Sequence, residues 1–190
     1  MKKAIYYLPG NGGKLTTGLG EALIAKGLDI AGRETIGEFR SLSFLEQVSV
    51  IAEDLRTHFW SDDSLVIANS FGAYLFLHAQ TSLPSYPGSV LILSPIIGES
   101  ANESTGTSFS PPYPKKLHGI AKAGSFPKPR DAHIHVGSED WQSQPENVKQ
   151  FGMLTGIPVT LVENAGHMLP REYISRLLDD WLIPSTEGLS

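Results

Sequence analysis

The sequence predicts an α/β chain, a three-layer α/β/α sandwich around a mostly parallel six-stranded sheet. Three observations carry that prediction. Short apolar runs alternate with helical patterns along most of the chain; one of those runs turns at a serine directly into an apolar helix; and a glycine-rich loop, PGNGG, closes the first run. Apolar runs without polar alternation are strands covered on both faces, as parallel strands are. Right-handed crossovers then bring every strand-to-helix loop to one edge of the sheet, where ligands bind in such folds.

Ala4 to Leu8 is the first predicted strand, and Pro9 to Gly13 gives the turn that lets backbone approach a ligand. A helix follows over about Thr17 to Lys26, stopped by Gly27, and then a strand over Leu28 to Ile30 or slightly beyond. Ser43 and Glu46 form a capping box for the next helix, whose Val48, Ile51, Ala52, Leu55 and Phe59 share one face. Asp62 and Asp63 turn the chain into the stretch LVIANSFGAYLFL, Leu65 to Leu77. Its first four residues read as a buried strand. Phe71, Ala73, Tyr74, Leu75, Phe76, Leu77 and Ala79 are apolar over more than one helix face, the mark of a helix deep in the domain. Ser89 to Leu93 is another apolar strand.

From Gly98 to Arg130 the alternation fails in a stretch rich in Gly, Ser, Thr and Pro, whose length predicts an active-site loop or small lid. Regular structure resumes with a strand at Ala132 to Val136, a helix near Pro145 to Leu154 ended by Gly156, and a strand at Pro158 to Val162. In the last helix Pro170 suits the first turn, and Tyr173, Ile174, Leu177, Leu178, Trp181 and Leu182 form the inward stripe. The tail from Pro184, residues 184–190, is expected to fray.

The chain of 190 residues fits one domain, 1–190, large enough for a core without disulfides or metals. A net charge of −5 with 18% charged residues and no basic run argues against nucleic-acid and membrane partners. The absence of cysteine excludes thiol nucleophiles and thiolate metal sites. The apolar run in MKKAIYYLPG is too short for a signal-peptide core, so a cytoplasmic location is expected.

Ser70 stands between strand and helix with Ala68 and Gly72 two residues to either side. A serine at such a turn adopts a strained positive φ that lifts its hydroxyl above the sheet, and its neighbours must be small. The alternative role is a helix N-cap. A serine nucleophile needs a base, and the base needs an acid. Of six histidines only His167, in VENAGHML, lies just after a strand. His133 and His135 form an H-x-H pair with no further ligand cluster, so no metal is expected. The acid belongs after the preceding strand, where VGSED offers Asp140, with Glu139 beside it. Ser70, Asp140, His167 is the acyl-transfer order of one of three known triad families. An oxyanion hole would draw on the Phe71 N–H and on the glycine loop, at Asn11 or Gly12. That loop fits neither a phosphate-binding P-loop, which would need glycine and Ser/Thr where Leu8 and Leu15 stand, nor a dinucleotide fingerprint, since Leu15 occupies the third glycine.

These residues resemble the α/β-hydrolase superfamily, and the PGNGG loop is similar to that of small serine hydrolases of the retinoblastoma-binding-protein type. The resemblance implies an α/β-hydrolase fold without a large cap domain, no cofactor, and cleavage of ester, thioester or amide bonds in a small-molecule substrate. It maps Ser70 to the nucleophile, Asp140 to the acid, His167 to the base, and Asn11 with Phe71 to the oxyanion hole. Ala68 and Asn69 replace the family's usual glycine and histidine, and Pro9 stands where many members have histidine. Phe109, Tyr113, Phe126 and Trp141 are candidates to line a shallow apolar pocket. The competing class is a catalytically silent binding or scaffold protein on the same fold. The complete set of three catalytic groups favours the enzyme.

Overall fold

The computed structural model describes residues 4–182, so the predicted fraying of the tail lies outside the described residues. Among the described residues eight strands and seven helices run in chain order: β1 Ala4–Leu8, α1 Leu19–Ala25, β2 Asp29–Gly32, α2 Gly37–Ser41, α3 Phe44–His58, β3 Leu65–Asn69, α4 Phe71–Gln80, β4 Ser89–Leu93, β5 Ser100–Asn102, β6 Thr107–Phe109, α5 Lys116–Lys122, β7 Asp131–Gly137, α6 Pro145–Thr155, β8 Val159–Val162 and α7 Arg171–Leu182. Six of the strands form one sheet in the order β2-β1-β3-β4-β7-β8, and every pair in it is parallel. The sheet is therefore wholly parallel.

Side chains of a strand alternate between faces, and this period divides the core in two. Tyr6, Leu8, Val66, Ala68, Val90, Ile92, Ala132, Ile134 and Val136 face α3, α4, α5 and α6. Ile5, Tyr7, Leu65, Ile67, Leu91 and Leu93 face α1 and α7. Helix α4 lies between sheet and neighbouring helix, and every residue from Gly72 to Gln80 is buried. The exposed helix α7 behaves differently: of its predicted stripe only Leu178 is fully buried, while Ile174, Leu177, Trp181 and Leu182 are half-buried against the same core. Helix α3 lies over β1, where Tyr6 Oη donates to Asp54 at 2.7 Å and Arg33 grips the same carboxylate at 2.6 Å through Nε and Nη2. The capping box of α3 forms in full, with Ser43 N donating to Glu46 at 2.8 Å.

Three parts differ from expectation. Helix α2 is a single short turn in a stretch read as loop, held because Gln47 Nε2 donates to Phe39 O, a contact set by α3 and not by local propensity. The excursion from Gly98 to Arg130 contains an antiparallel hairpin, β5–β6, and the short helix α5. Leu117 and Ala121 of α5 are buried in the main core, so this helix belongs to the body of the domain. Phe126 is also buried, its ring 5.3 Å from that of Phe151, and so cannot line a pocket; the core has more need of its apolar surface than an exposed loop does. Among the described residues no helix is long and apolar enough to cross a membrane.

Candidate active site

Parallel strands deliver their carboxyl ends to one edge, and the loops after β1, β3, β7 and β8 meet there. Ser70 follows β3 with φ 54° and ψ −119°, and no side-chain capping bond is made to α4. Ser70 thus occupies the N-cap position of α4 without capping it through its hydroxyl. Three backbone bonds hold the strained residue: its N–H donates to Leu93 O at 2.9 Å, and its carbonyl accepts from Tyr74 N at 3.2 Å and Ile96 N at 3.3 Å. Gly72 lets α4 start against the end of β1, since a Cβ there would lie 2.3 Å from Leu8 O and 2.4 Å from Pro9 O.

Ser70 Oγ lies 2.7 Å from His167 Nε2. On the other side of the ring, Nδ1 lies 2.9 Å from both carboxylate oxygens of Asp140. Asp140 is completely buried, whereas Glu139 is exposed and contributes only its N–H, to Ala165 O. The geometry thus brings Asp140, and not Glu139, to the histidine. Burial opposes the charge on Asp140, but the hydrogen bond and charge of His167 and the N–H of Ser143 outweigh it and hold the carboxyl below the usual carboxylate range. An ionised carboxylate can only accept, so His167 Nδ1 carries the proton of that bond, which in a neutral imidazole leaves Nε2 as the acceptor facing the serine hydroxyl. Gln142 N and Ser143 N both donate to Asp140 Oδ1 at 3.0 Å. Ser143, 2% exposed, also places its Oγ 3.4 Å from His167 Nδ1. The D-W-Q-S sequence is an Asp-initiated turn that could have indicated this.

The glycine loop distinguishes its own amides. Gly12 N donates to Thr35 O at 3.3 Å, and Gly13 N donates to Gly10 O and Thr35 Oγ1, each at 2.9 Å. The buried Thr35 hydroxyl in turn donates to Gly10 O. Thr35 follows β2 and fixes the loop, a function that no local pattern in the sequence signals. Of the two candidate amides, Gly12 N is occupied, while Asn11 N has no acceptor among the described residues. Gly10 lies beside the serine, where an added Cβ would be 3.2 Å from Ser70 Cβ.

The other predicted residues divide. Tyr113 is exposed and its ring lies 5.8 Å from that of Phe44. Phe109 lies on β6 in an open surface groove of about 480 Å³ with Glu99, Ser110 and Gln144, and Trp141 is half-buried beside Asp140. Gln144 Nε2 joins the hairpin to the Asp140 loop through Ala101 O at 3.0 Å and Trp141 O at 2.7 Å. His135 is buried with Nδ1 2.6 Å from Tyr173 Oη, and His133 is exposed on the same strand face; no cluster of metal-binding side chains occurs among the described residues.

No family model matches the sequence, and no curated protein does. Solved structures do match. The ydeN gene product of B. subtilis superposes with a TM-score of 0.65 at 14% identity, covering 95% of this chain and 98% of that one. The monoacylglycerol lipase of Paleococcus ferrophilus gives 0.64 at 14% identity, with 94% and 92% covered. MGS-MChE2, an α/β-hydrolase enzyme from the metagenome of lagoon sediments at Mar Chica, Morocco, gives 0.61 at 21% identity, with 95% and 90% covered. The chain has the α/β-hydrolase fold.

Proposed function

We propose that this α/β-hydrolase-fold chain is a serine hydrolase that cleaves carboxylic esters through an acyl-enzyme on Ser70, with thioesters and amides as related substrates. The observation that carries the reading is the unbroken path from Ser70 Oγ through His167 to the buried Asp140. Ser70 Oγ attacks the ester carbonyl while its proton passes to His167 Nε2, and the imidazolium is stabilised by Asp140. The carbonyl oxygen becomes an oxyanion facing the N–H groups of Asn11 and Phe71, the latter at the positive end of α4. On collapse the carbon–oxygen bond to the alcohol breaks, and Nε2 returns the proton to the leaving oxygen. Water, deprotonated by the same Nε2, then attacks the acyl-enzyme and releases the acid and Ser70. Trp141, Phe109 and Tyr113 border the approach. The likeness of the glycine loop to hydrolases of the retinoblastoma-binding-protein type agrees with this chemistry.

Labelling by a fluorophosphonate probe tests the proposal. The wild type is expected to label at Ser70, and Ser70→Ala to lose both the label and all but about 10⁻⁴ of turnover. A folded wild type that stays unlabelled would leave the scaffold reading in its place.

A further inference from the structure

An aromatic surface that the reaction steps leave unused begins at the residue after Ser70. The Phe71 ring lies 6.4 Å from that of Phe44, and Phe44 lies 5.8 Å from Tyr113, all within the range of attractive ring contacts. Phe44 and Phe71 pack one side on the core and leave the rest open, and Tyr113 is 50% exposed. Tyr113 is held in place at a cost. Its φ is 56°, an unfavourable value for a bulky side chain, and Tyr74 Oη pins the segment by donating to Pro112 O at 2.6 Å and Tyr113 O at 3.1 Å. Tyr74 is the residue one helical turn beyond Ser70, so the element that carries the serine also fixes the far end of this surface. A tyrosine strained and pinned into exposure gains nothing for the core, which is the pattern of a residue kept for contact with a ligand.

The direction of the surface identifies the part of the substrate. The leaving oxygen must lie toward His167 Nε2, which protonates it, and His167 arrives from β8 at one end of the sheet order. Phe44 opens α3, which connects the edge strand β2 to β3 and meets β1 through the Tyr6–Asp54 hydrogen bond, toward the other end of that order. The alcohol arm and the aromatic surface therefore lie on opposite sides of Ser70. We infer that Phe71, Phe44 and Tyr113 form a shelf for a flat aromatic group on the acyl arm of the substrate, so that arylacyl esters of small alcohols are the favoured class. This inference rests on the proposed hydrolase reading.

Methyl phenylacetate and benzyl acetate are isomers that carry the same ring on opposite arms, with leaving alcohols of similar acidity. In the wild type kcat/KM is expected to favour methyl phenylacetate about tenfold, the fold-change that ring contacts of this kind support. Tyr113→Ala and Phe44→Leu should each bring the ratio of the two substrates close to one. Leu45→Ala, whose side chain is 52% exposed and outside the ring contacts, should leave the ratio as in wild type. A preference for benzyl acetate, or a ratio unmoved in Tyr113→Ala, overturns the inference. Turnover of neither isomer together with no fluorophosphonate label would instead count against the hydrolase reading. The shelf is then decided separately by NMR on Ser70→Ala titrated with methyl phenylacetate: saturable shifts of the Phe44 and Tyr113 ring signals support it, and shifts elsewhere only, or none, refute it.

Discussion

Asp140 and Glu139 are adjacent and both acidic, yet only one is buried beneath His167. Replacement of Asp140 by Asn leaves the shape and removes the acceptor-only charge that sets the imidazole tautomer, so kcat is expected to fall by about 10⁴. Glu139→Gln should stay within about twofold, and steady-state kinetics on the two variants separates the roles. A second residue-scale effect concerns stability. Burial, with a further push from Lys116, lowers the His78 pKa to about 4, and burial with His133 lowers that of His135 to about 4. An unfolded histidine titrates near 6.5. Between about pH 6.5 and 4 the unfolded chain therefore binds protons that the folded chain refuses, and stability falls as pH drops. Two such groups give a slope of at most about 2.7 kcal/mol per pH unit, and neither contributes above pH 7. His78 Nε2 has no hydrogen-bond partner among the described residues, and its ring lies 4.9 Å from Phe44. His78→Phe should keep the packing and remove about half of the slope, as read from urea unfolding at pH 7, 6 and 5. An equal slope in variant and wild type would count against this account.

At the scale of elements, the site depends on how closely α4 approaches the end of β1. Gly72 stands at that crossing, and the colliding atoms on β1 are backbone, which cannot rotate away. Gly72→Ala is expected to destabilise the fold by about 1–3 kcal/mol, as overpacking does, and to shift the first turn of α4 next to Ser70. Thermal unfolding and kcat should fall together. Loss of activity with an unchanged Tm would mean that α4 accommodates the methyl group by shifting. The hairpin β5–β6 has a different attachment, reaching the Asp140 loop through Gln144, while α5 is absorbed into the core.

For the whole molecule, the consequence is an open site. The excursion supplies a short hairpin and a seven-residue helix, and neither amounts to a helical cap enclosing a long acyl chain. Each buried methylene contributes about 0.8 kcal/mol, but only while there is surface to bury it. Along p-nitrophenyl acetate, butyrate, octanoate and palmitate, kcat/KM should peak at the two short esters. A steady rise to palmitate would point to an acyl tunnel formed on closure of the excursion.

The sequence by itself determined the alternating core, because strand and helix periods are local and apolar burial enforces them: β1, β3 and β4 lie where their apolar runs lie, and the Ser43–Glu46 box starts α3. It also singled out Ser70 and His167 as candidates, which the fold brings within 2.7 Å of each other, because a turn between small residues and a histidine after a strand are each visible within a few residues. What only the tertiary structure decided depends on chain crossings between residues far apart in sequence. The choice between Asp140 and Glu139 followed from which one the packing buried under His167. The engagement of the Gly12 and Gly13 amides, but not that of Asn11, came from Thr35, in a loop more than twenty residues away. The assignment of Phe126 to the core and of Tyr113 to the surface was likewise decided by neighbours, Phe151 and Tyr74, which local composition cannot indicate.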